Sequence, residues 1–144
     1  MDSILSWDEY FMELAKLSAR RSKDPKTKVG ACIIDPETKR IVSIGYNGLP
    51  RGIEDTDTIW EDDIKHNYVV HAEANAILNT TEDLHGKILY VTMFPCNECA
   101  KLIIQKGIVE VVYLDDKYRY KEQGVVAEKM FKHTSVLLRK FGEE

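Results

Sequence analysis

Cysteine is scarce in this chain: Cys32, Cys96 and Cys99 are the whole set, an odd number with two of them three apart. That excludes a disulfide framework and fits a reducing compartment, where Cys-x-x-Cys serves metal or redox chemistry. No run approaches the roughly 18 apolar residues of a membrane span. The stretch 1–9 carries neither a basic region nor an apolar one, so an export signal is not expected. Positive charge is not in excess either. Lys+Arg 20 against Asp+Glu 24 leaves −4, the wrong sign for a surface that grips polynucleotide phosphates or anionic lipid. Neither a nucleic acid nor a membrane is therefore an expected partner. Repeats and interdomain linkers are missing as well. What remains is 144 residues, 44% hydrophobic and 31% charged, which reads as one globular domain over 1–144 in the cytoplasm, able to build a core without staples.

Trp7, Tyr10, Phe11, Leu14 and Leu17 paint one helical stripe, with Ser6 and Glu9 spaced as a capping box and Asp24-Pro25 as the expected end. Segments 29–34 and 40–46 read as a hairpin about the turn residues 35–39. Residues 47–67, broken by Asn47-Gly48, Pro50 and Gly52, read as a long loop that helps close a site. An Ala-rich helix is expected from His71, a buried strand at 87–93, a helix over 96–106 closed by Gly107, a strand at 108–114, a helix at 121–132 and a short strand or helical extension at 135–141. That order implies an α/β fold with a mixed sheet of four or five strands and parallel helical crossovers.

Two fragments carry chemistry, His71-Ala72-Glu73 and Pro95-Cys96-Asn97-Glu98-Cys99. Cysteines at i and i+3 share a helix face, and a helix start stabilises thiolates. Positions i and i+2 of a helix point about 200° apart, so His71 and Glu73 can serve one site only if His71 precedes the helix. One imidazole and two thiolates make three ligands for a tetrahedral Zn²⁺ with the fourth position open to water, the pattern of a catalytic ion. Two thiolates cancel the ion's charge, so helix N-termini and Glu73 must help acidify that water. Glu73 is the expected general base. The competing readings of Cys96 and Cys99 are a structural zinc half-site and a thioredoxin-like dithiol.

His-x-Glu followed by Pro-Cys-x-x-Cys is the signature of zinc nucleobase deaminases. From about Trp7 to about Tyr118 the chain resembles the deoxycytidylate (dCMP) deaminases of the cytidine deaminase superfamily. The resemblance rests on Ser22-Lys23-Asp24-Pro25, Val29-Gly30-Ala31-Cys32-Ile33, Gly45-Tyr46-Asn47-Gly48-Leu49-Pro50, His71-Ala72-Glu73-Ala74-Asn75-Ala76-Ile77 and Pro95-Cys96-Asn97-Glu98-Cys99-Ala100-Lys101. It implies a three-layer α-β-α cytidine-deaminase-like fold with a mixed five-stranded sheet. It also implies hydrolysis of dCMP to dUMP and ammonia, supplying dUMP for thymidylate synthesis. Ring-shaped homo-oligomers, hexamers by preference, are implied too, with dCTP activating, dTTP inhibiting and Mg²⁺ accompanying the allosteric nucleotide. Some relatives carry a second zinc. Beyond the trio this chain has only Cys32, His66, His85 and His133, so one zinc per chain is expected, with Cys32 a core residue and the three histidines in loops or solvent.

The substrate contacts are read with alternatives open. The resemblance gives Asn47 a hydrogen bond to the nucleotide, whereas Asn-Gly alone is a turn signal. Ala72 offers a backbone N–H at a helix start. Five cations within residues 20–28 either complement a helix C-terminus or bind a phosphate through Arg21, Ser22 and Lys23. Tyr118 either walls the base or sugar or lies on the surface. Other readings of the whole are deamination of another base carrier (free cytidine, tRNA or single-stranded DNA) and a zinc-stabilised interaction module without catalysis.

Overall fold

The Ser6 hydroxyl accepts the Glu9 N–H at 3.1 Å, and the Glu9 carboxylate accepts the Ser6 N–H at 3.0 Å. This reciprocal cap starts α1 (Trp7–Ala19) in the computed structural model, which describes residues 3–143. Met1, Asp2 and Glu144, part of the expected domain, lie outside the described residues. The helix stops at Ala19, earlier than the Asp24-Pro25 boundary. The Asp24 carboxylate accepts the N–H groups of Lys26 and Thr27 at 2.9 and 3.2 Å, a local turn that competes with helix.

The sheet runs β2-β1-β3-β4-β5, formed by β1 (Gly30–Ile34), β2 (Ile41–Tyr46), β3 (Ile88–Met93), β4 (Glu110–Asp115) and β5 (Leu137–Lys140). β1 is antiparallel to β2 and β3, while β3, β4 and β5 are parallel. Period-two alternation then sorts the core. Ala31, Ile33, Leu89, Val91, Val111 and Tyr113 pack on one face against α4 (Ala72–Leu78), α5 (Asn97–Gln105) and α6 (Glu122–Lys132). Cys32, Ile34, Tyr90 and Val112 pack on the other against Phe11, Met12 and Ala15 of α1. The result is the expected mixed five-stranded α/β sheet with helices on both sides. Cys32 is the core residue it was read to be, and burial pushes its thiol up to about 12.

Two glycines set the layer spacing. A Cβ on Gly30 would lie 1.8 Å from the Ala15 carbonyl oxygen, and one on Gly45 2.5 Å from the Ala76 nitrogen. The first lets α1 lie on β1; the second lets α4 lie on β2. The tail at 135–141 is a strand rather than a helical extension, because its backbone extends the parallel ladder of β4.

The expectation of a structureless loop over 47–67 needs correction. Thr56 accepts the Ile59 N–H and starts α2 (Asp57–Glu61), and α3 (Lys65–Tyr68) follows, with Trp60 and Lys65 buried. Asn47-Gly48 is not a turn. Gly48 and Val70 exchange backbone hydrogen bonds at 3.1 and 2.8 Å, which ties the end of β2 to the approach to α4.

Candidate active site

His71 is the N-cap of α4 and Cys96 the N-cap of α5, both in extended backbone and both without a side-chain cap bond. His71 therefore precedes its helix, the condition under which it and Glu73 can share a site. β3 ends at Met93, and Phe94-Pro95 carries the chain into α5, placing Cys96 beside the start of α4. His71 Nδ1 lies 3.4 Å from Cys96 Sγ and 3.3 Å from Cys99 Sγ. All three donor atoms fall within 4.8 Å of one another. Zinc bond lengths of 2.0–2.1 Å to nitrogen and 2.3 Å to sulfur make the N···S edge of a tetrahedron roughly 3.6 Å, so this donor set fits one zinc ion. Among the described residues no other His, Cys, Asp or Glu group meets that closeness.

Charge in the cluster is tightly coupled. The hydrogen bond from Cys99 holds the Cys96 thiol down at about 4, with His71 helping and burial opposing. Cys99 is pushed up as the proton-bearing partner and by burial. The bond to Cys96 raises His71. Glu73, the second residue of α4, is 4% exposed. Burial pushes it up to about 7, while the nearby His71 pulls it down. A carboxyl poised there can take and return protons near neutrality.

A cleft of about 870 Å³ opens over these groups and is lined by His71, Ala72, Glu73 and Cys96 together with Asn47 and Tyr118. Asn47 is buried, with its Oδ1 accepting the Val29 N–H and its Nδ2 donating to the Thr27 carbonyl, both at 2.9 Å. Those bonds hold the start of β1 and leave one N–H and one lone pair of this cleft-lining amide unused. Tyr118 is half-exposed, with the Lys117 ammonium 5.1 Å from its ring centre.

The trio read as a phosphate site does not line the cleft. Arg21 lies over the Tyr46 ring at 6.0 Å, the Ser22 hydroxyl turns inward to accept the Asp24 N–H, and Lys23 pairs with Asp55 at 3.3 Å. The cations that do line it are Lys26, Lys65 and Lys121. Lys65 is committed to Asp24 at 2.9 Å, whereas Lys26 and Lys121 have no ion-pair partner among the described residues. Lys26 belonged to the basic run in the sequence; nothing local marked Lys65 or Lys121. His66 lines the cleft from its exposed rim, while His85 and His133 are exposed.

A layered sheet that presents one imidazole, two sulfurs and a buried carboxylic acid from two helix starts defines a metal-dependent hydrolase with room for a small substrate. A family model described as the cytidine and deoxycytidylate deaminase zinc-binding region matches residues 5–115. The chain belongs to that family. It is 52% identical to the deoxycytidylate deaminase of Mus musculus and 50% identical to that of Homo sapiens, over 97% of this chain and 82% of each relative. A crystal structure of the dCMP deaminase from the cyanophage S-TIM5, in complex with dCMP and dUMP, superposes with a TM-score of 0.73 at 28% identity, covering 92% of this chain and 94% of that one.

Proposed function

We propose that this protein is a zinc-dependent aminohydrolase that converts dCMP and water to dUMP and ammonia. The observation that carries the reading is the placement of Glu73, buried beside a His71-Cys96-Cys99 donor set that leaves a tetrahedral ion one open position. A structural zinc would need a fourth side chain there and no acid; a redox dithiol would need neither His71 nor Glu73. Relatives about half identical bear the name deoxycytidylate deaminase.

His71 Nδ1 and the two sulfurs would hold the zinc, which would supply the Lewis acidity that makes water a nucleophile near neutral pH. Glu73 takes the proton that the attacking water gives up as it adds to C4 of the cytosine. Glu73 hands that proton to N3, then takes the remaining hydroxyl proton of the C4 adduct and delivers it to the amine, so the C4–N bond breaks, ammonia leaves and the C4 carbonyl forms. Ala72, at the start of α4, offers its N–H to the base carbonyl. Asn47 uses its remaining donor and acceptor on the sugar, and Tyr118 walls the nucleotide. Lys26 and Lys121 take the 5′-phosphate, replacing Arg21, Ser22 and Lys23 in that role.

The same reading places the enzyme in the cytoplasm as one domain per chain with one zinc, feeding thymidylate synthesis. It also makes the protein a homo-oligomer, with a hexamer favoured, activated by dCTP and inhibited by dTTP with Mg²⁺. Exposed Leu17 on α1 and Ile44 on the edge strand β2 support association. Among the described residues no helix is long and apolar enough to cross a membrane.

Ammonia release measured on dCMP, deoxycytidine and a cytosine-containing oligonucleotide, with and without dCTP and dTTP, tests the substrate. Turnover of dCMP should exceed the other two by at least about a hundredfold, since a site built for a polar group rejects analogues lacking it. Preference for the nucleoside or the oligonucleotide would overturn the reading.

A further inference from the structure

The cleft that must admit a phosphate has a carboxylate in its wall. Asp24 lines it, and its side chain is only 7% exposed; the Lys65 side chain beside it is 4% exposed. Lys65 reaches Asp24 Oδ1 at 2.9 Å from 41 residues away, on the segment that read as loop. A buried ion pair is weak evidence for stability, because apolar residues of like volume often serve as well. The reason for this one lies in what the carboxylate holds. Asp24 accepts the N–H groups of Lys26 and Thr27, and the Thr27 carbonyl accepts Asn47 Nδ2 at 2.9 Å. One carboxylate therefore orders the turn that carries Lys26 and anchors Asn47, both on the same cleft wall. Its charge is the difficulty: a phosphate monoester bears about −1.5 to −2 at pH 7, and an uncancelled carboxylate in the same cleft would repel it.

We propose that Lys65 is a positioning and specificity-determining residue whose ammonium cancels the charge of Asp24, so that Asp24 orders the 24–27 turn without repelling the nucleotide's phosphate. This rests on the reading of the substrate as a nucleoside monophosphate. The pair is electrically neutral, which leaves Lys26 and Lys121 as the uncompensated cations facing the ligand. Replacing Lys65 by an apolar residue exposes the phosphate to Asp24, and replacing Asp24 by a neutral residue leaves the Lys65 ammonium as a further uncompensated cation in the cleft wall. The two single substitutions therefore move phosphate binding in opposite directions, whereas a merely structural pair would weaken binding from either side.

The test uses the full chain with zinc bound, comparing wild type, Lys65→Met, Asp24→Asn and the double variant Asp24→Asn/Lys65→Met for kcat and KM on dCMP, with thermal melts alongside. Lys65→Met should raise KM about tenfold, as expected for one unit charge within a protein-like dielectric, with kcat little changed. Added salt should narrow that gap. The double variant should return KM to near the wild-type value, and Asp24→Asn should lower it. Equal impairment of Lys65→Met and the double variant, or a loss confined to kcat, overturns the proposal. Should Lys65→Met fail to fold, Asp24→Asn decides alone: a KM at or above wild type overturns the idea. A wild type that releases no ammonia from dCMP is a different failure, that of the substrate reading itself, and it removes the phosphate the ion pair is argued to accommodate.

Discussion

Glu73 owes its proposed role to where its carboxyl sits. The side chain is enclosed, nearly out of contact with water, and burial lifts it to about 7. Substituting Gln keeps the shape and removes the proton carrier. Glu73→Gln should retain one zinc by elemental analysis and lose about 10²–10⁴ in kcat, the range of general acid–base catalysis; near-normal turnover would remove it from the mechanism. At this scale the sequence was most legible for the donors. His71, Cys96 and Cys99 were named from residue type and spacing, because what binds zinc is a property of imidazole and thiolate wherever they stand. The expected phosphate trio does not line the cleft. Arg21, Ser22 and Lys23 have the right chemistry, but the turn ordered by Asp24 takes Ser22 into a backbone hydrogen bond and Lys23 to Asp55.

Elements place these residues, and two contacts between elements are open to test. α4 carries Glu73, starts directly after its N-cap His71 and rests on β2 at Gly45, where a Cβ would meet the Ala76 nitrogen at 2.5 Å and the Ala72 carbonyl oxygen at 2.7 Å. Gly45→Ala should cost about 1–3 kcal/mol by overpacking and reduce zinc retention, because the displaced backbone belongs to the helix whose N-cap is a ligand. Gly48→Ala, with nothing within 4 Å of its Cβ, should leave the melt within about 0.5 kcal/mol.

The second contact joins α1 to β5. Arg139 donates to both Asp8 oxygens at 2.6 and 2.9 Å and to Glu110 at 3.1 Å, and Tyr90 donates to Asp8 as well. The Arg139 hydrogen bond holds the Asp8 carboxyl below its ordinary 3.8. A depressed carboxylate stabilises the fold above its unfolded pKa and stops doing so as pH falls through the folded one. Acidification below about pH 4 should therefore weaken this clamp. Arg139→Met should cost about 1–2 kcal/mol at pH 7, and its deficit relative to wild type should shrink in melts taken at pH 3. A deficit independent of pH would mean the loss is packing alone.

For the whole molecule the metal is the largest single lever. Zinc binds the assembled site and not a random chain, so saturating metal adds stability by mass action, about 2.7 kcal/mol at a hundred times Kd. A strong chelator should abolish ammonia release and lower the melting temperature, and zinc should restore both. Elemental analysis should give one zinc per chain. Two per chain would contradict the reading of Cys32 as core and of His66, His85 and His133 as non-ligands. In the metal-free protein, Cys96 should be alkylated well before Cys32, whose thiol burial pushes up to about 12.

The amino-acid sequence by itself determined the metal donors, the acid beside them and the alternation that builds a mixed sheet, since each depends on side-chain type and on neighbours within a turn or strand. It also carried the helix starts, because a cap is made by residues three or four apart. Only tertiary structure decided which cations face the cleft and that Asn47 fastens β1 instead of making a turn. Those outcomes rest on partners far apart in the chain, such as Lys65 and Asp24 at 41 residues. Their meeting depends on how the layers pack, and no local pattern records it.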